Sequence, residues 1–329
     1  MTGGLPRFVT DLLSADAYGH AADDVRLIQT HISYVLLAGE FAYKIKKPLD
    51  LGFLDYSTLE RRRRMCEEEV RQNRRLCDGV YLGVLPVTRR ADGTHRFGDA
   101  GEPVEYAVQM RRVRDERTMP HLLASGRLRR EHLASLAAKI ASFHRDADRR
   151  ERVATFGRVP AVRTNWDENF AQTAPYVGRT LTGAQLDHVR AYVNRFLDEQ
   201  DVLIEGRADT GRVRDGHGDL RADSVVFAPE GSVCVMDCIE FNERLRCGDI
   251  ASDVAFLAMD LEFRGHRRAA DEFVSLYIGE SDKDETLPAM MNFYRVYRAY
   301  VRGKVDGMQL EEPEIPAAQR SEAAVRAVR

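Results

Sequence analysis

Between residues 217 and 224 the chain reads His-Gly-Asp-Leu-Arg-Ala-Asp-Ser. Asp219 sits two positions past a histidine in a turn-prone stretch. Downstream, Val-Met-Asp-Cys-Ile sets Asp237 at the end of an apolar run. Upstream stand Lys44 and Lys46, in Tyr-Lys-Ile-Lys, and Glu69, in Cys-Glu-Glu-Glu-Val. Phosphoryl transfer needs a cation on the phosphates, an acid to hold that cation, a carboxylate beside the attacking hydroxyl, and oxygen ligands for a metal. The chain offers these residue types in that order. Asp219 is the candidate base, His217 the brace of its loop, and Asp237 a candidate ligand for Mg²⁺, which favours carboxylate and phosphate oxygens.

Such groups act only if secondary structure aims them. Thr30–Pro48 reads as two strands around a turn at Ala38-Gly39-Glu40. In the second, Phe41, Tyr43 and Ile45 alternate with Ala42, Lys44 and Lys46, so both lysines share a face and either can be the phosphate lysine. Ser57-Thr58-Leu59-Glu60 fits a capping box, and a helix follows to about Leu76. Its apolar stripe is Leu59, Cys66, Val70 and Cys77. Glu69 flanks that stripe, whereas Glu68 points away and pairs with the arginine run before it. Strands are expected at Val80–Val87 and Val104–Val113, around a turn at Ala91-Asp92-Gly93.

From about Arg114 the pattern turns helical, as in His132–Ala147 and the stretch capped by Thr182 and Gln185. A hairpin is expected over Ser224–Phe241, turning at Pro229-Glu230-Gly231, and helices return after Asp249. The tail beyond Glu311 reads as linker-like. This order gives an α+β, two-lobed chain: a β-rich N-terminal lobe with one key helix over residues 1–110, and a mostly helical catalytic lobe over 111–329.

Composition narrows the function classes. Hydrophobic residues make up 44% and charged residues 31%, as in a soluble globular protein. A net charge of −3 gives no basic field for nucleic acid or anionic membranes. The apolar run Tyr34–Ala38 is far too short to span a bilayer, and the start lacks a signal peptide's pattern. Five cysteines, without a C-x-x-C pair, argue against a disulfide framework and a zinc site. A reducing cytoplasm is the expected compartment.

The motifs together resemble the aminoglycoside phosphotransferase and choline kinase group, which has the protein-kinase-like fold. The resemblance is carried by THISYVLLAGEFAYKIKKPLDLGFLDYSTLERR, CEEEVRQNRRL, VYLGVLPV, HGDL and DCIEFNERLRCGDIASDVAFL, spanning about Thr30 to Lys304. It implies an ATP- and Mg²⁺-dependent kinase acting on a small-molecule hydroxyl. It selects Lys44, aligned with the Val-Ala-Ile-Lys strand of kinases, as the lysine on the phosphates, paired with Glu69. It also implies that Asp249 buttresses the catalytic loop from a helix start. The bacterial branch it most resembles is often fused to a C-terminal P-loop kinase-like domain. This chain ends before any G-x-x-x-x-G-K-[ST] motif, and so reads as a stand-alone or shortened form.

Three departures matter. Gly218 replaces the arginine that meets a phosphorylated activation loop in protein kinases, which favours a small-molecule acceptor. With no G-x-G-x-x-G loop, the turn Thr30–Ser33 is left to cover the phosphates, with Ser33 as a contact. The strand from Val104 then leads to a hinge for the adenine near Met110 and Arg111. Finally, Ser224 stands where such loops hold a metal-binding Asn, with Asp223 or a water as its helper. If that substitution disables transfer, the alternative is a catalytically weak or inactive nucleotide-binding regulatory module. For the substrate, a basic stripe of Arg295, Arg298 and Arg302 favours an anion, while Glu240, Glu243, Asp260 and Glu262 favour a cation. Trp166 and Asn169 either face the ligand or belong to the core.

Overall fold

Alternating side chains along residues 33–46 build the central hairpin. The computed structural model describes residues 4–98, 101–228, 231–281, 284–310 and 323–324. They divide into two compact units. The first is 1–121 with 225–229 and 234–242; the second is 122–224, 230–233 and 243–329. The border expected at residue 110 therefore lies later, and the segment carrying Asp237 folds with the first unit.

In the first unit a short helix, α1 (Arg7–Asp11), precedes the sheet. Strands β1 (Arg26–Gln29), β2 (Ser33–Ala38) and β3 (Phe41–Lys46) are followed by helix α2 (Leu59–Asn73). Then come β4 (Tyr81–Arg89), β5 (His95–Phe97) and β6 (Glu102–Arg111). The spatial order is β1-β2-β3-β6-β4-β5, antiparallel throughout. The β2–β3 turn needs glycine twice over. Gly39 has φ 56°, and a Cβ there would lie 2.6 Å from the Ala21 carbonyl oxygen. Leu36, Tyr43 and Ile45 pack on one face of the sheet with Val9, Leu12 and Phe97. Ala42, Val108 and Met110 pack on the other with Cys66, Val70 and Tyr81. Lys44 and Lys46 share the second face, toward α2. The cap of α2 is one residue later than the capping box suggested: Thr58 Oγ1 accepts from the Arg61 amide at 3.2 Å. Strands β1 and β5 were not expected; both are short, and β1 is largely exposed, so neither leaves an apolar alternation.

The expectation of no disulfide is corrected. Cys77 and Cys234, both in the first unit, are joined, their Cα atoms 4.7 Å apart. A separation of 157 positions hid the pair. Cys66, Cys238 and Cys247 are buried and take no part in a disulfide.

Chain order continues with helices α3 (Met119–Ala124), α4 (Arg130–Asp146), α5 (Glu151–Ala154), α6 (Val159–Thr173), α7 (Gly183–Glu199) and α8 (Asp201–Asp209). Strand β7 (Val213–Asp215) pairs antiparallel with β10 (Cys247–Asp249). Between them lie the hairpin strands β8 (Val225–Phe227) and β9 (Val233–Val235) and helix α9 (Glu243–Arg246). Of the turn expected for that hairpin, Pro229 and Glu230 lie outside the described residues, as does the tail beyond Leu310 apart from residues 323–324. Helices α10 (Ile250–Phe263), α11 (Arg267–Glu280) and α12 (Leu287–Gln309) complete the second unit. Helix α10 is buried from Ile250 to Leu261, its Ser252, Asp253 and Asp260 included, with α11 and α12 packed against it. Trp166 is fully buried among Phe170, Phe293, Tyr297 and Tyr300, which makes it a core residue. Among the described residues, no helix is long and apolar enough to cross a membrane.

Candidate active site

The first unit places both strand lysines on one carboxylate. Lys44 Nζ lies 2.8 Å from Glu69 Oε1, and Lys46 Nζ lies 2.7 Å from Glu69 Oε2. The choice between the lysines follows from their other partners. Lys44 keeps 18% of its side chain exposed and reaches Asp237 Oδ1 at 3.1 Å. Lys46 is 1% exposed and is tied to Glu240 and Tyr56. Lys44 is thus the accessible cation and Lys46 the buried support. Burial opposes the charge on Lys44, yet Asp237, Glu69 and Glu240 together hold its pKa well above the ordinary value. Burial also pushes Glu69 toward neutrality, but the two lysines win and its pKa falls to about 2. Buried charges persist only when paired in this way.

Asp237 is aimed by its backbone. Among the described residues it is the only non-glycine at positive φ, 60°. Such strain persists where surrounding structure over-determines it. Here the Asp237 amide donates to Tyr81 Oη at 3.3 Å, and the Cys238 amide donates to Asn73 Oδ1 at 2.9 Å. Asn73 in turn donates to the Glu69 carbonyl oxygen at 2.9 Å. One helix, α2, therefore fixes both Glu69 and the segment bearing Asp237. The Asp237 side chain stays 56% exposed.

Glu240 was expected among substrate contacts. It is 7% exposed, accepts from Tyr56 Oη at 2.7 Å and pairs with Lys46, so it closes the lysine network instead. Ser33 is fully buried opposite Lys46, its hydroxyl without a hydrogen-bond partner among the described residues. The Ser33 amide and carbonyl close the turn on Thr30. Met110 is buried in β6 against Ala42, and Arg111 ends that strand, its amide donating to the Val80 carbonyl at 2.9 Å.

The second unit holds the His217–Ser224 loop. The His217 and Gly218 amides donate to the Asp253 carboxylate at 2.7 and 2.9 Å. His144 Nε2 lies 3.3 Å from the same carboxylate. Burial works against the charge on Asp253, but His144, His217 and Arg298 keep it strongly acidic. This corrects the buttress assigned to Asp249. Asp249 caps α10 through the Ala251 amide at 2.8 Å and pairs with Arg207 at 2.6 and 2.7 Å. The residue that braces the loop is Asp253, one helical turn later. Its signal was present in Asp-Ile-Ala-Ser-Asp, as a second acid in the first turn.

Arg298 is also reassigned. It is 8% exposed, stacks over Phe256 at 4.7 Å, and donates to the Gly218 carbonyl oxygen at 2.8 Å. It supports the loop rather than lining an open basic stripe. Arg302 keeps 28% of its side chain exposed and pairs loosely with Asp306 at 3.5 Å.

Within the loop, His217 Nδ1 accepts from the Asp219 amide at 3.2 Å. Arg221 grips both oxygens of Asp219, each at 2.9 Å, a contact the sequence reading did not anticipate. Ser224 Oγ donates to the Arg221 carbonyl at 2.7 Å and accepts from its amide at 3.2 Å. The hydroxyl in the Asn position is thus committed to loop backbone. Asp223 is half exposed between Arg221, at 3.2 Å, and Arg264, at 2.7 Å. The Ala222 amide donates to Asp260 at 2.9 Å.

The oxygen donors suit Mg²⁺, which takes one or two carboxylates and completes its shell with water and phosphates. Among the described residues, no group of three or more His, Cys, Asp or Glu is arranged to hold a metal unaided. Asp237, exposed and already charge-paired, fits the role of one such carboxylate.

No family model matches the chain. Among solved structures it is similar to the GDP complex of aminoglycoside 2'-phosphotransferase-IIIa: TM-score 0.55 and 13% identity, over 98% of this chain and 97% of that one. A GDP and kanamycin complex of APH(2")-IIia gives TM-score 0.52 and 11% identity, over 97% of both chains. The chain therefore has the protein-kinase-like fold of the aminoglycoside phosphotransferases. In sequence it is 36% identical over 296 residues to uncharacterized proteins of Mycobacterium tuberculosis and Mycobacterium bovis. The match takes in 90% of this chain and 57% of theirs, so the chain spans little more than half the length of those relatives.

Proposed function

We propose that this chain is an ATP- and Mg²⁺-dependent O-phosphotransferase acting on a small-molecule hydroxyl, a member of the aminoglycoside phosphotransferase and choline kinase group. The observation that carries this reading is the Lys44–Glu69–Asp237 array. An accessible lysine is held by a buried acid and touches an exposed, backbone-aimed aspartate. Lys44 would bind the donor's phosphates, and Asp237 would hold the metal. The metal, when bound, neutralises charge on the transferring group. Asp219 would accept the acceptor's hydroxyl proton. The acceptor oxygen bonds to the γ-phosphorus, the bond from that phosphorus to the β,γ-bridging oxygen breaks, and the diphosphate leaves with the electron pair.

Ser33, Met110 and Arg111 are proposed donor contacts. Asp223 is the proposed second metal carboxylate, with Ser224 contributing through loop shape. Arg302 remains a candidate acceptor contact. ATP supply places the reaction in the cytoplasm. The further length of the mycobacterial relatives has room for a partner domain, such as a P-loop kinase domain.

The test is calorimetric titration of ATP and GTP with and without Mg²⁺, beside transfer assays on a panel of hydroxyl compounds. Transfer should fall about 10²–10⁴-fold in Asp219→Ala with nucleotide binding retained. Undiminished transfer in that variant would refute the role of Asp219. A second reading, a nucleotide-binding module with little transfer, draws on the committed Ser224 hydroxyl. Tight nucleotide binding with neither transfer nor slow hydrolysis would favour it.

A further inference from the structure

Helix α12 presents two different stripes to the rest of the second unit. Arg298, Arg302 and Asp306 recur every four residues, and Arg298 meets the His217–Ser224 loop. Ala299, Gly303 and Gly307 recur at the same spacing beside them, with Lys304 on their far flank. This second stripe lines a cavity of about 120 Å³, closed on its other side by the end of α6 and the connection that follows it. The cavity opens to solvent at Ala299. It exists because the stripe has no side chain longer than a methyl group. A Cβ at Gly307 would already lie 3.7 Å from Thr180 Cγ2.

The polar groups around this space are donors that lack an anion. Lys304 Nζ donates to Asn169 Oδ1 and to Gln172 Oε1, each at 2.7 Å. Both acceptors are neutral amides. Among the described residues no carboxylate stands at ion-pair distance from Lys304, and Glu168, the acid that acts on it, is held by Arg244 at 2.6 and 2.7 Å. Burial draws the ammonium's pKa down to about 8 against the pull of Glu168. A desolvated charge calls for a counter-ion. Thr180, 9% exposed, lines the same cavity, and its hydroxyl makes no hydrogen bond among the described residues. Thr173 and Tyr300, by contrast, bond to each other. An ammonium has three protons, so one remains beside the Thr180 hydroxyl. Two spare donors and a single positive charge suit a monoanion. No guanidinium fork lines the cavity to match a phosphate dianion. The volume is also far below the roughly 300–1,000 Å³ of sites for larger ligands.

We propose that this cavity binds a small organic carboxylate: Lys304 pairs with the carboxylate, Thr180 donates to it, and a short hydrocarbon tail lies against Leu181 and Tyr176. The whole site lies within the second unit. It uses a different stripe of α12 from the one that supports the His217–Ser224 loop, and it stands whether or not that loop transfers phosphate. Binding breaks and makes only hydrogen bonds and leaves the lysine protonated.

Ligand-observed NMR titration tests it, with sodium butyrate, its neutral isostere butyramide and inorganic phosphate as probes. On the parent chain butyrate should saturate with a Kd of about 1–10 mM. Butyramide should bind about 10- to 100-fold more weakly, the worth of a charge-assisted hydrogen bond. Lys304→Met should weaken butyrate by the same factor, and Thr180→Val by about 3- to 10-fold. Circular dichroism melting reports whether each variant is folded, and the comparison of butyrate with butyramide needs no variant. No saturation by butyrate, equal binding of butyrate and butyramide, or undiminished binding in folded Lys304→Met would overturn the site. Displacement of butyrate by an equal concentration of phosphate would overturn its assignment to carboxylates. None of these results bears on the transferase reading, which stands or falls on transfer by the parent chain and Asp219→Ala.

Discussion

Lys44 and Lys46 differ by their second partners, and the difference predicts opposite phenotypes. Lys46→Met leaves Glu69 and Glu240 sharing a buried site with less positive charge. Breaking a buried pair in this way costs about 3–5 kcal/mol, measurable as a lower urea midpoint. Lys44→Met leaves Glu69 paired with Lys46, so the fold should persist while transfer is lost. Equal destabilisation by both would contradict the division of labour. The pH response follows from Glu69. Its folded pKa, about 2, lies below the ordinary 4.5. A depressed carboxylate contributes stability that is complete above the unfolded value and is lost as pH falls from about 4.5 toward 2. Denaturation midpoints should therefore drop over that interval, and Glu69→Gln should flatten the drop. The shared face of the lysines and the inward flank of Glu69 were legible, because both follow from short-range periodicity. Glu240 was not, since it enters the lysine network from far along the chain and its surroundings look like an exposed acidic turn.

At the scale of elements, α2 and α10 do comparable work in the two units. Each supplies a buried acid that holds functional backbone or side chains in place. Asp253 was missed because the family resemblance drew attention to Asp249, at the cap, while the loop amides reach one turn farther in. Gly216 exposes the tightness of this contact: a Cβ there would lie 2.6 Å from Asp253 Oδ2. Gly216→Ala should displace the brace and cost about 1–3 kcal/mol by overpacking, with transfer falling as well. Unchanged transfer and stability would mean that the loop does not depend on Asp253. The left-handed backbone of Asp237 separates shape from charge. Asp237→Gly should stay within about 1 kcal/mol of the parent, since glycine accepts this conformation freely, yet lose transfer. Asp237→Val should lose transfer and a further 1–3 kcal/mol or so, because a β-branched residue resists positive φ. Urea denaturation of the pair distinguishes carboxylate from conformation.

For the whole molecule, the β-rich beginning, the long helix α2 beside its sheet and the helical remainder were readable from hydrophobic period and capping residues, whereas the short helix α1 was not. The border between units was not, because residues 225–229 and 234–242 return to the first unit from within the second stretch of sequence. The Cys77–Cys234 bond was equally invisible, since pairing depends on tertiary proximity rather than spacing. Loop-closure entropy assigns a cross-link of this span up to about 5 kcal/mol. Reduction should therefore lower the thermal midpoint, and Cys77→Ser should match the reduced parent. Intact mass spectrometry under non-reducing and reducing conditions should differ by the two hydrogens of one bond; identical masses would exclude it.

That bond also changes the chain's connectivity. Every residue from 78 to 233 lies inside a covalent ring closed by the two sulfurs. A single peptide-bond cut anywhere in the ring, the His217–Ser224 loop included, opens the backbone without releasing a fragment. Nicked protein would migrate as one species until a thiol is added, then as two. Limited proteolysis read only under non-reducing conditions would thus report an intact molecule whose loop had already been severed.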